Sequence, residues 1–413
     1  METPGLRYLT ADISRILREE QKMAFVAGPR QVGKTTLARR LLAETATENL
    51  YYNWDIESHR RLIVRFPGDF WKRGESTTAA KQPRLVLDEI HKYPRWKRFV
   101  KGLHDEHGSD VQIIVTGSGR LDIFQRGGDS LFGRYNLFRL HPFTLGELLA
   151  EDRNAILPPE QFWKTLTERA PTREAEQALQ DIEKFTGFPE PLFAASEPRL
   201  RRWRQAHRTL VLREDLRDLT RIRDIGLVET LALLLPDRVG SPLSINALSE
   251  DLGVNFATVR TWLDAMARLY YLFRVKPYAG RLTRTLRLAE KVYLYDFTEI
   301  ENAGARFENL TALHLRKLVD AWTDRGYGEF DLHYVRDREK REVDFLITER
   351  RKPYALIEAK LSASDIDPSL RYFSQRLQPR YTVQVVRNAE HFKRTMVTEG
   401  IILSPAAEFF SLI

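Results

Sequence analysis

The chain has 413 residues, 43% of them hydrophobic, which is long and apolar enough for about two or three domains with sizeable cores. It has no cysteine, which excludes disulfides and thiolate zinc sites, and its 65 basic against 57 acidic residues give a net charge of +8, a balance suited to an anionic partner such as nucleic acid. The opening METPGLRYLTADIS is polar from the start and no apolar run approaches bilayer length, so no secretion signal or membrane span is expected, and the cytoplasm is the expected compartment.

Met23–Ala27 reads as a strand that delivers the chain to Gly28-Pro29-Arg30-Gln31-Val32-Gly33-Lys34-Thr35-Thr36, after which the pattern turns helical. A G-x-x-x-x-G-K-T loop between strand and helix wraps its backbone N–H groups around phosphate oxygens, and the helix adds the positive end of its dipole. Gly33 lets the backbone approach closely, Lys34 reaches the β- and γ-phosphates, and the Thr35 hydroxyl sits on Mg²⁺. All nine residues are therefore expected to bind a nucleoside triphosphate.

Leu50–Asp55 reads as a second strand and Arg84–Asp88 as a third, which runs straight into Asp88-Glu89. Asp88 is expected to support the Mg²⁺ and Glu89 to polarise the attacking water. The other reading of such a pair is a helix cap. Val111–Val115 is a fourth strand, ending in Thr116-Gly117-Ser118. Ser118 is the expected water-orienting and γ-phosphate-sensing residue, with Thr116 second and a plain turn as the alternative. Four buried strands separated by helices argue for a parallel sheet with helices on both faces, and the motifs fall at its carboxyl edge. Among Arg120, Arg126, Arg134 and Arg139, Arg134 is the candidate finger for a neighbouring subunit's phosphate; the alternative is a surface arginine with an acidic partner.

From Thr144 to about Asp224 the pattern is helical, with breaks at Pro158-Pro159 and Gly187–Pro191. Residues 198–223 are dense in arginine and fit either a phosphate-binding stripe or a solvated helix face. Ser244–Leu252, Gly253 and the Asn255-capped stretch that buries Val259, Leu263, Met266 and Leu269 make a helix-turn-helix, with Thr258, Arg260, Thr261 and Arg268 outward. The ribbon after it carries Arg281, Arg284, Arg287 and Lys291 near its expected tip, as a basic wing would. Such modules contact DNA or protein.

Glu308 opens a helix; Asp344 and Glu358 then lie at facing places on a hairpin, with Lys360 on the same side as Glu358. Two carboxylates with a third from Glu308 can bind Mg²⁺, and Lys360 can orient water for phosphodiester attack. Exposed charges on a structural sheet, or a platform that binds without cutting, are the alternatives. With the following Tyr381–Val386 strand, the set resembles the restriction-endonuclease-like core.

GPRQVGKTTL, LVLDEIHKYPRW, IIVTGSGRL, the Gly-Arg…HPFTLGEL stretch, TGFPEPLF and LREDLRDL together resemble one group of prokaryotic AAA-type P-loop ATPases that carry a C-terminal region of unknown function. The resemblance covers essentially the whole chain and implies ATP as the nucleotide and a ring-type homo-oligomer, expected as a hexamer. The expected architecture is α/β: an AAA-type P-loop core over 1–143, a helical lid over 144–225, a winged helix-turn-helix over 226–298 and a restriction-endonuclease-like domain over 299–413. The leading expectation for function is an ATP-hydrolysing motor on duplex or branched DNA. The alternatives are an ATP-driven switch or scaffold without DNA activity, and a Mg²⁺-dependent nuclease licensed by ATP.

Overall fold

The computed structural model describes residues 7–72, 82–117, 131, 133–150, 156–168, 172–219, 224–278, 289–363, 365–390 and 394–413. Ser118, Arg120, Arg126, Arg281, Arg284 and Arg287 lie outside the described residues. The chain forms two compact units, one up to His141 and one from Pro142 to Ile413.

The first unit is built on five parallel strands: β1 (Met23–Ala27), β2 (Tyr51–Asn53), β3 (Arg84–Asp88), β4 (Gln112–Gly117) and β5 (Tyr135–Arg139), in the order β2-β3-β4-β1-β5. Every residue of β1, β3 and β4 is buried, as continuous apolar runs in a parallel sheet require. β4 therefore lies between the strand that feeds the phosphate loop and the strand that ends in Asp88. β2 is shorter than its apolar run suggests, because the Asn53 side chain accepts a 2.7 Å hydrogen bond from the Asp55 amide and turns the chain away. The helix Lys34–Ala43 buries Leu37, Ala38, Leu41 and Leu42.

The second unit holds an eight-stranded sheet of β6 (Leu272–Pro277), β7 (Lys291–Leu294), β8 (Phe330–Arg336), β9 (Glu342–Glu349), β10 (Lys352–Lys360), β11 (Tyr381–Val386), β12 (Met396–Thr398) and β13 (Ile401–Pro405), in the order β12-β13-β11-β10-β9-β8-β6-β7. The helix-turn-helix has the expected Asn255 cap, and Ser244, read as the first helical residue, is itself the cap of the first helix. Ser244 Oγ accepts from the Ala247 amide, Gly253 closes the helix Ile245–Leu252 at φ +65°, and Asn255 Oδ1 accepts from the Thr258 amide to open the helix Phe256–Arg268.

Residues Pro142–Ile413 form one compact unit. Strand β6 of the ribbon pairs with β8 through Lys276 and His333, so the ribbon extends the C-terminal sheet. A free ribbon would leave unpaired N–H and C=O groups at its end, and β8 pairs with the last two residues of β6, Lys276 and Pro277. Among the described residues no helix is long and apolar enough to cross a membrane.

Candidate functional site

The loop after β1 is shaped by the chain that leaves β5. The Leu140 amide donates to the Ala27 carbonyl at 2.8 Å, and a Cβ on Gly28 would lie 2.2 Å from the Leu140 carbonyl oxygen, so only glycine fits. Gly33 sits at φ +100° ahead of the helix Lys34–Ala43, whose first turn carries no acidic side chain and whose N-cap makes no side-chain bond. The first-turn amides thus face an anion site. Lys34 is buried, and its Nζ lies 3.0 Å from the Gly28 carbonyl and 2.7 Å from that of Pro29. Val32 is buried beneath the loop, while Thr35 and Thr36 are exposed at the helix start.

Arg7 holds the loop from behind. Its guanidinium donates to the Val32 carbonyl at 2.6 Å and to the His141 carbonyl at 2.6 Å. No local pattern marks Arg7, since its partners are 25 and 134 residues away.

Asp88 is 2% exposed and accepts from three hydroxyls: Thr35, at 2.9 Å, and those of Tyr51 and Thr116. Thr116, the second-ranked residue on β4, thus reaches the acidic motif, while Ser118 lies outside the described residues. No sequence motif marks Tyr51, although the pairing of Asn53 with Asp88 puts Tyr51 on the same side of the sheet as Asp88. Burial, then the bond to Asp88, pushes the Tyr51 phenol up to about 12, so it stays a donor. Asn53 Nδ2 donates to the same phenol at 3.3 Å, and the Arg39 guanidinium lies 4.6 Å from its ring.

Glu89 takes the left-handed conformation, φ +54°, which costs a non-glycine residue about 1–2 kcal/mol. Its amide donates to the Thr116 carbonyl at 3.0 Å, and its carboxylate stands 3.6 Å from His91 and 3.9 Å from Lys92. Burial holds the His91 imidazole below its ordinary range, against the pull of Glu89. Arg134 has an acidic partner. Its Nε donates to Asp105 at 2.6 Å and its second nitrogen contacts the other oxygen at 3.3 Å, within its own unit. That carboxylate lies on the helix Trp96–His107.

The family comparisons agree with this geometry. Residues 20–149 match a model described as an AAA domain, and residues 177–298 and 303–407 match two models described as domains of unknown function. The chain therefore carries an AAA domain followed by two domains of unknown function. Uncharacterised proteins from Mycobacterium bovis and Mycobacterium tuberculosis are each 21% identical over 398 residues, covering 94% of this chain and 81% of theirs. AMPPCP-bound DnaA from Aquifex aeolicus aligns at a TM-score of 0.27 and 16% identity over 62% of this chain and 86% of that one. PCH-2 from C. elegans aligns at 0.24 and 14% over 62% and 64%. At those TM-scores neither likeness carries an argument.

Downstream of the AAA domain, the predicted carboxylates do come together. The Asp344 amide donates to Glu358 at 3.2 Å, and the Ala359 amide returns a bond to Asp344 at 3.1 Å. Lys360 Nζ lies 2.7 Å from Glu358 and 3.0 Å from Asp367. Glu308, on the helix Ala303–Asp324, accepts from Tyr293 at 2.7 Å.

Lys291 corrects the sequence reading. It is no wing-tip residue: it begins β7, its side chain is fully buried, and its Nζ lies 2.9 Å from Glu308, 2.7 Å from Glu342 and 3.6 Å from Asp344. Burial pushes Glu308, Asp344 and Glu358 above the usual carboxylate range, against the nearby lysines. Burial alone would lower Lys291, but Glu308, Asp344 and Glu342 raise it. Among the described residues no group of three or more His, Asp or Glu side chains is arranged to hold a metal ion. The oxygens of Glu308, Asp344 and Glu358 are engaged by two lysines, a phenol and backbone amides.

Proposed function

We propose that this protein is an ATP-hydrolysing AAA-type motor that assembles as a homo-oligomeric ring, a hexamer, and acts on duplex or branched DNA in the cytoplasm. The observation that carries the nucleotide half is the carboxylate of Asp88 held by a hydroxyl from the phosphate-loop helix. Residues Gly28 to Thr36 would cradle the triphosphate, Lys34 would pair with its β- and γ-oxygens, and Thr35 and Asp88 would hold Mg²⁺. The metal supplies charge neutralisation on the phosphates when bound. Glu89 takes a proton from the attacking water, and Thr116 and Tyr51 fix the carboxylate beside it. Arg134 has no role in this reading while Asp105 holds it.

Tyr51→Phe removes one donor to Asp88 and keeps the ring. It is expected to raise the Mg²⁺ requirement of turnover by about tenfold while leaving Mg²⁺-free ATP affinity unchanged. A Mg²⁺ titration of the ATPase rate, run beside nucleotide binding in EDTA, measures both.

The DNA half is supported by the helix Phe256–Arg268, which leaves Arg260 and Thr261 exposed and Arg268 half-buried, and by the net charge of +8. An ATPase assay across single-stranded, duplex and four-way-junction DNA tests it. Stimulation is expected, with DNA affinity falling steeply as salt rises. A flat rate with every form would favour the second reading, an ATP-driven switch that contacts protein. That reading has one observation in its favour: Phe256, at the start of the same helix, is 45% exposed.

A further inference from the structure

We propose that the Lys291 ammonium is the permanent cation of the carboxylate cluster, standing where phosphodiester cleavage would require Mg²⁺, and that the C-terminal sheet is a metal-free clasp. This narrows the DNA-binding reading without depending on it, because metal binding can be measured with no DNA present.

Three lines of geometry lead there. First, the ammonium is already within 2.9 Å of Glu308 and Glu342 and 3.6 Å of Asp344. Mg²⁺ needs about 2.0–2.1 Å to several oxygens in an octahedron, so it could share this space only by displacing the lysine. Second, Lys291 is anchored at its backbone: it pairs with Val275 in the ladder and bridges to Pro242. Its Nζ also lies 5.5 Å from the Tyr334 ring. The stem is enclosed and has no exposed surface along which to withdraw. Third, the remaining oxygens are committed. Glu358, 4% exposed, is shared between Lys360 and the Asp344 amide, while Asp344 also accepts from Ala359. A phosphodiester would find neither a metal nor an open carboxylate there.

The same contacts give the cluster a positive role. Lys291 belongs to β7, Glu308 to the helix Ala303–Asp324, and Glu342 and Asp344 to β9. One ammonium therefore joins the ribbon of the helix-turn-helix to the helix and sheet beyond it. Asn309 repeats the link, donating to and accepting from the Leu294 backbone at 2.8 Å each.

The test is calorimetric titration of the full chain with MnCl₂, free of nucleotide, in wild type, Asp344→Asn, Lys291→Met and Lys291→Met/Asp344→Asn. Weak binding at the phosphate loop is common to all four and cancels. Wild type and Asp344→Asn should give the same isotherm. Lys291→Met should gain a site at least about tenfold tighter than any in wild type, because three carboxylates lose their cation, and Asp344→Asn should abolish it. Mn²⁺ binding by wild type that Asp344→Asn removes would overturn the proposal, as would a folded Lys291→Met with no new site. If Lys291→Met fails to fold, the first comparison still decides. Mg²⁺-dependent nicking of plasmid by wild type, lost in Asp344→Asn, would equally overturn it.

Discussion

Glu89→Gln is expected to retain ATP and to lose turnover by about 10²- to 10⁴-fold, the usual contribution of a positioned general base. Glutamine keeps the length of the side chain and needs the same left-handed backbone at φ +54°, so the loop after β3 is preserved. An amide cannot take a proton from water, and it no longer offers His91 and Lys92 a negative partner. The phosphate loop, Lys34, Thr35 and Asp88 are untouched, so equilibrium binding of a labelled nucleotide should match wild type. Lys34→Ala should do the reverse and weaken binding itself, since it removes the cation that now rests on the Gly28 and Pro29 carbonyls. Comparable hydrolysis rates for Glu89→Gln and wild type would place water activation elsewhere.

What could be read from the chain was what is decided locally. β1 and β3 begin and end where their apolar runs do, and the caps at Ser244, Gly253 and Asn255 fall where the residue types require. The phosphate loop was legible because one backbone shape needs glycine at both ends and a lysine after the second. β2 ends at Asn53, ahead of the end of its apolar run, because a single Asn53 side chain outweighs the propensity of the residues after it. Tyr51, Arg7 and Lys291 share another cause. Each matters through partners that are distant in sequence, and nothing in the residue itself tells an arginine that clamps a loop from one in solvent. Lys291 is the clearest case. A lysine on a basic ribbon reads as exposed, and only the pairing of that ribbon with the C-terminal sheet puts three carboxylates around it. The facing of Asp344 and Glu358 followed from strand alternation, but what fills the space between them and Glu308 did not.

The HPFTLGEL stretch, part of the family resemblance, points to the largest stability effect. Glu147 and Lys317 form an ion pair at 2.7 Å with neither side chain exposed, and Lys317 also donates to the Thr144 hydroxyl at 2.6 Å. Both residues lie in the unit that begins at Pro142. Lys317→Met should destabilise that unit by about 3–5 kcal/mol, because it removes the counter-charge from a carboxylate with no access to water. Glu147→Leu should cost a similar amount by leaving the buried ammonium with the neutral Thr144 hydroxyl in place of its counter-charge. The double variant should recover most of the loss, since two apolar groups of similar volume carry no desolvation penalty. Urea unfolding of the three variants measures this. If the double variant were as unstable as the sum of the singles, the pair would contribute through packing rather than charge. The resemblance in this stretch would then reflect side-chain shape, and the buried charges would be incidental to the fold.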